Sequence, residues 1–222
     1  MKQGVDVQRT VVVISAGLGV PSSTRMLADQ LAAEVRSRVS AAGAEPVIDV
    51  IDLRDYATDI ANNMVTGYAG PTLAEVIARV EAADAMIAVT PTFSASYSGL
   101  FKSFFDILDP KILDGMPVLF GATGGSSRHS LVLDMAIRPL FSYLRANTMP
   151  TAIYASPEDW GGSGTDPLEQ RIAQGAAELV AVLLGEEHRA GNPDHKTKRA
   201  QRQMSQASSL PFEELLAQTQ RR

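Results

Sequence analysis

Thr10-Val11-Val12-Val13-Ile14, followed by Ser15-Ala16-Gly17-Leu18-Gly19-Val20-Pro21-Ser22-Ser23-Thr24-Arg25, is the stretch whose reading decides the fold. The β-branched run predicts a strand covered on both faces. Beyond the loop, Leu27, Leu31, Val35 and Val39 recur every four residues with Arg36 and Arg38 between them, which predicts an amphipathic helix closing near Gly43. A strand, a loop rich in glycine and hydroxyls, and a helix N-terminus make an anion site in that order. Backbone N–H groups and the positive end of the helix dipole both face the loop. Ser15, Ser22, Ser23 and Thr24 add neutral donors, a chemistry suited to a terminal monophosphate. Gly17-x-Gly19-x-x-Ser22 half-matches a dinucleotide fingerprint, and Asp49 and Asp52 stand where a ribose-binding acid would lie. Pro21 and the Ser-Ser-Thr cluster, however, fill the place where that turn needs small residues. A plain helix cap is the competing structural account of the same hydroxyls.

Outward from this stretch, Pro46–Ile51 predicts a second strand, and Asp52–Tyr68 a mostly irregular connection. Pro71 opens a second helix carrying Leu73, Val76, Ile77 and Val80, since proline in a first turn removes no hydrogen bond. Ala85–Val89 is a third, fully apolar strand, and a third helix follows from Ser98. Pro117–Ala122 gives a fourth strand. The helix after it carries Leu131, Val132, Met135, Leu140, Phe141 and Leu144, and Pro139 inside it predicts a kink. Thr151–Tyr154 is a fifth strand, Asp159–Gly164 a flexible loop, and Asp166–Leu184 a final helix. Such alternation predicts a flavodoxin-like α/β fold: a five-stranded parallel sheet in the order 2-1-3-4-5 with helices on both faces.

The 222 residues suit one such domain, residues 1–188, with a polar basic tail at 189–222 and a short helix near Leu210–Leu216. In that tail Arg189, Lys196, Lys198, Arg199, Arg202, Arg221 and Arg222 outweigh Asp194, Glu213 and Glu214, although the whole chain carries a formal charge of -5. That charge argues against nucleic acid as a partner. The lack of any long apolar run argues against a membrane partner, and the absence of a signal-like N-terminus points to the cytoplasm. Zero cysteines exclude thiolate nucleophiles, disulfides and iron–sulfur ligation, so redox chemistry would require an organic cofactor. His129, His188 and His195 are too scattered for a metal site, and no G-x-S-x-G elbow supports a serine hydrolase.

Two further strand ends complete a candidate pocket. Pro91, Thr92, Phe93 and Ser94 follow the third strand and offer a flat apolar wall beside backbone donors and acceptors. Thr123, Gly124, Gly125 and Ser126 follow the fourth, where glycine lets backbone approach a ligand closely. Arg128 and His129 stand at the mouth and can meet a dinucleotide phosphate or simply be solvated.

Thr90–Lys102 and Ala122–His129, together with Asp134-Met135-Ala136-Ile137-Arg138-Pro139, resemble the NADPH-dependent FMN reductase family. They are most similar to the components that supply reduced flavin to two-component, luciferase-like monooxygenases such as those acting on alkanesulfonates. The resemblance covers residues 10–185. It implies FMN held by the three loops, with NADPH or NADH as hydride donor. It also implies a homodimer or homotetramer built around the third and fourth helices, and a flavin-dependent monooxygenase as partner. Several relatives place an aromatic residue or histidine where Met135 stands, so FMN as released product or as prosthetic group both stay open. Hydride transfer needs stacked rings and no acid–base residue, so no catalytic side chain is assigned. A quinone or azo reductase on the same scaffold, a non-enzymatic FMN electron carrier, and a flavin-free dinucleotide dehydrogenase are the alternatives.

Overall fold

A computed structural model describes residues 8–160 and 167–185. Residues 161–164 of the expected Asp159–Gly164 loop, the 189–222 tail and its short helix lie outside the described residues, while Asp159 and Trp160 belong to a 3-10 turn, Pro157–Trp160. Strands are β1 (Gln8–Ser15), β2 (Glu45–Asp52), β3 (Ala85–Phe93), β4 (Ser96–Tyr97), β5 (Pro117–Thr123), β6 (Asn147–Thr148) and β7 (Ile153–Ala155). Helices are α1 (Ser23–Ala41), α2 (Ala57–Thr66), α3 (Pro71–Ala82), α4 (Gly99–Asp106), α5 (Arg138–Tyr143) and α6 (Pro167–Gly185). The sheet runs β2-β1-β3-β5 in parallel, with β6 and β7 both pairing the far side of β5. The fifth position of the 2-1-3-4-5 order is therefore one interrupted strand.

Strand alternation sorts the core into two layers. Val12 and Ile14 of β1, Met86 and Ala88 of β3, and Val118 and Phe120 of β5 face α2, α3, α4 and α5. Val11 and Val13, Ala85, Ile87 and Val89, and Leu119 face α1 and α6, meeting Leu27, Leu31, Val35, Ile172 and Leu179. Both faces of these strands are apolar because helices cover both, as parallel crossovers require. The carboxyl ends of β1, β3 and β5 consequently finish side by side, with Ser15 opposite Val89 and Pro91 opposite Thr123. The site is built on this row of strand ends.

Three segments depart from the sequence expectation. Asp52–Tyr68 is not irregular: a 3-10 turn, Leu53–Tyr56, leads into α2, which ends at Gly67. Only Leu53 and Ile60 are buried there, too sparse a pattern to register as helical periodicity. Before α5, Leu133–Ile137 forms a π-helical turn, in which the Arg138 N–H donates to the Leu133 carbonyl. Pro139, which has no N–H to give, then sits in the first turn of α5, so the widened turn replaces a simple kink. In the fifth strand, β6 stops before Pro150. The break is closed by Arg138, which donates to the Met149 and Pro150 carbonyls at 3.0 Å each and lies 4.9 Å from the Phe120 ring centroid.

Candidate functional site

Loop 1 connects β1 to α1. Ser22 is the N-cap of α1, its Oγ accepting from the Arg25 N–H at 3.2 Å. A Cβ on Gly17 would fall 2.0 Å from that Oγ, so glycine is needed for the cap to sit where it does. Ser15 is buried at the end of β1, and its Oγ has no hydrogen-bond partner. A sealed, unpaired hydroxyl is costly unless a ligand completes it. Ser23 opens α1 at the exposed surface. Thr24 points inward instead, sharing a 2.8 Å hydrogen bond with Thr123 across the sheet. Its hydroxyl thus ties loop 1 to loop 3, a role that the phosphate-donor expectation for Thr24 did not include. Arg54, from the segment expected to be irregular, donates to the Gly19 carbonyl at 3.2 Å and braces the loop from outside.

Loop 2 is a hairpin. β3 continues through Pro91, Thr92 and Phe93, turns at Ser94-Ala95, and returns as β4 with Thr92 opposite Tyr97. Both turn residues have positive φ, 48° and 66°. Ser98 then caps α4, accepting from the Phe101 N–H, while its own N–H donates to Thr90 Oγ1 at 3.0 Å. Thr92 Oγ1 is buried and makes no hydrogen bond of good geometry, its polar neighbour being the Tyr154 phenol. Phe93, about half exposed, stands where an apolar wall was expected.

Loop 3 follows β5 through Thr123, Gly124, Gly125 and Ser126. The Gly124 N–H donates to the Ala155 carbonyl at 3.1 Å, and Ser126 Oγ accepts from the Arg128 N–H. The Tyr154 hydroxyl donates to the Ser126 carbonyl at 2.8 Å. Burial raises the Tyr154 phenol above its ordinary pKa, further from neutral pH, where a phenol is already protonated and able to donate. Sequence reasoning missed this residue; its place at the last strand's carboxyl end was the available signal. Arg128 and His129 lie exposed on a 3-10 turn, Ser127–His129, directly after the loop. At the rim below, the Asp159 carboxylate accepts from the Ser156 N–H and Oγ and from Arg171. Burial alone would raise its pKa, but these donors hold it below the ordinary carboxylate range. Among the described residues no cluster of three metal-ligating side chains occurs, and no helix is long and apolar enough to cross a membrane.

An anion loop at a helix N-terminus and two further loops on adjacent strand ends define a flavodoxin-like protein whose residues fit a flavin mononucleotide. The unpaired Ser15 hydroxyl and the glycine-lined third loop are the features that such a ligand would use. The chain belongs to the family described as NADPH-dependent FMN reductase, whose model matches residues 9–161. It is 39% identical to an FMN reductase (NADPH) of Pseudomonas aeruginosa over 79% of this chain and 92% of that relative. It is 37% identical to the NADH-dependent FMN reductase SfnF of Pseudomonas fluorescens, over 79% of this chain and 91% of that one. Among solved structures, an oxidoreductase from Corynebacterium diphtheriae superposes with a TM-score of 0.78 at 46% identity, covering 80% of this chain and 98% of that one. An NADH:FMN oxidoreductase, EmoB in its apo form, shares the fold at a TM-score of 0.70 and 24% identity, over 85% and 93% of the two chains.

Proposed function

We propose that this chain oxidises NADPH or NADH and reduces FMN at the three-loop site, and that a flavin-dependent monooxygenase consumes the reduced flavin. The observation that carries it is the alignment of three loops on the carboxyl ends of β1, β3 and β5, with the buried Ser15 hydroxyl left unpaired at the first. Bound FMN would supply the ring position that accepts hydride from the nicotinamide.

The chain's own residues do the positioning. Ser15, Gly17, Ser22 and Ser23, with the α1 N-terminus, hold the phosphate. Thr24 joins them by fixing Thr123. Pro91, Thr92, Phe93 and Ser94 form one wall for the ring, and Thr123 to Ser126 the other. Backbone N–H groups there stabilise the charge that reduction places on the ring. Arg128 and His129, exposed beside loop 3, receive the dinucleotide's phosphate. Leu131, Met135 and Tyr143 are exposed large apolar residues along the π-turn and α5, a face suited to burial in a homodimer or homotetramer.

The test is direct. Purified chain mixed with NADPH and FMN should consume NADPH only when flavin is present, read at the two absorbance bands. Retained colour without turnover would make the chain an electron carrier. Faster turnover with a quinone or azo dye than with free FMN would shift the acceptor.

A further inference from the structure

The Tyr154 hydroxyl belongs to none of the three loops, yet it is the best-defined contact beneath one of them. Tyr154 is 6% exposed and pairs with Ala122 in the sheet register, so its ring is fixed by the core and the strand. Its oxygen lies 2.8 Å from the Ser126 carbonyl, and a Cβ built on Gly124 would stand 2.1 Å from that same oxygen. We propose that Tyr154 is a positioning residue for the flavin, setting the path of the Thr123–Ser126 turn from below, and that Gly124 is required by this phenol as well as by the ligand above. The role rests on the flavin reading of this same site.

Each end of the turn has its own tie. Thr123 is held by Thr24, and Gly124 by the Ala155 carbonyl. Gly125 has nothing within 4 Å of a built Cβ, so neighbouring side chains do not confine it. The far end, Ser126, is reached by Tyr154. Removing the phenol oxygen leaves the ring packing in place but unties the Ser126 peptide and ends the phenol's interaction with the Thr92 hydroxyl. A glycine pair can then sample many conformations, and the ligand must order them on binding.

The experiment titrates the apo chain with FMN and reads flavin fluorescence quenching. It compares wild type, Tyr154→Phe, Gly124→Ala and the double variant. Tyr154→Phe should weaken FMN about three- to tenfold, the scale of one lost hydrogen bond. Gly124→Ala should weaken it further, because the new methyl meets the phenol oxygen. The double variant should bind more tightly than Gly124→Ala alone, since the 2.1 Å overlap with the oxygen is gone and only a tight 3.1 Å approach to the ring carbon remains; independent sites would instead multiply their losses. Should Gly124→Ala fail to fold, a cooperative melt regained in the double variant supports the overlap, and Tyr154→Phe still decides by its own affinity. Wild-type affinity in Tyr154→Phe, or a double variant weaker than Gly124→Ala, overturns the role while leaving the flavin reading intact. Failure of wild type to bind FMN removes both.

Discussion

Ser15 separates folding from ligand binding at a single atom. Its buried Oγ contributes no hydrogen bond to the fold, so Ser15→Ala should leave the apo melting temperature unchanged or slightly raised. The same change should weaken FMN about threefold or more, measured by titration. A drop in apo stability with unchanged flavin affinity would instead place the hydroxyl among the structural groups. Ser22 offers no such separation, because it caps α1 as well as facing the loop. At this scale the sequence showed which residue types could serve a phosphate, but not which hydroxyls the fold had already engaged. Thr24 illustrates the limit: its partner Thr123 lies 99 residues away, and no local pattern announces that pairing.

The β3–β4 hairpin is the element whose local chemistry disagrees most with its conformation. Ser94 and Ala95 both occupy the left-handed region, where a Cβ is disfavoured and where two-residue hairpin turns ordinarily carry Asn-Gly. Ala95→Gly should therefore stabilise the chain by roughly 0.5–1 kcal/mol, read as a higher denaturation midpoint. An unchanged or lower midpoint would mean that the methyl contributes packing that offsets the strain. Sequence reading found the loop but ended the strand at Val89, since a strand continuing through Pro91 and turning on Ser-Ala lacks the usual signals. It likewise located the helix around Pro139 but not its π-turn. Proline states only that an N–H is missing; where the surplus residue goes depends on which neighbours, here Ile137 and Phe141, must stay buried.

Across the whole molecule, partly buried carboxylates tie the segments around the last strand to the final helix and to each other. Glu178 accepts from the Thr151 N–H and Oγ1, and Asp159 from Ser156 and Arg171. Burial opposes ionisation of both, yet these donors hold both below the ordinary carboxylate range. A lowered folded pKa contributes stability that is present above the unfolded value and lost as pH falls through the folded one. Stability should therefore be flat from neutral pH to about pH 5 and decline below about pH 4. Asp159→Asn should cost about 1–3 kcal/mol at pH 7 and flatten that acid limb, as followed by urea denaturation at stepped pH. An acid limb identical to wild type would assign it to other groups. The alternating frame, the parallel sheet and the places where its strands end in loops were legible in the sequence, because burial on two faces and the alternation of strand and helix are local, periodic signals; α2 and the β3–β4 hairpin, which lack such signals, were not. The tertiary structure alone decided which hydroxyls remain unpaired, how Arg138 closes the broken strand, and why Tyr154 sits under Gly124. Those facts depend on atoms brought together from distant parts of the chain, and a pattern of residue types carries no record of such distances.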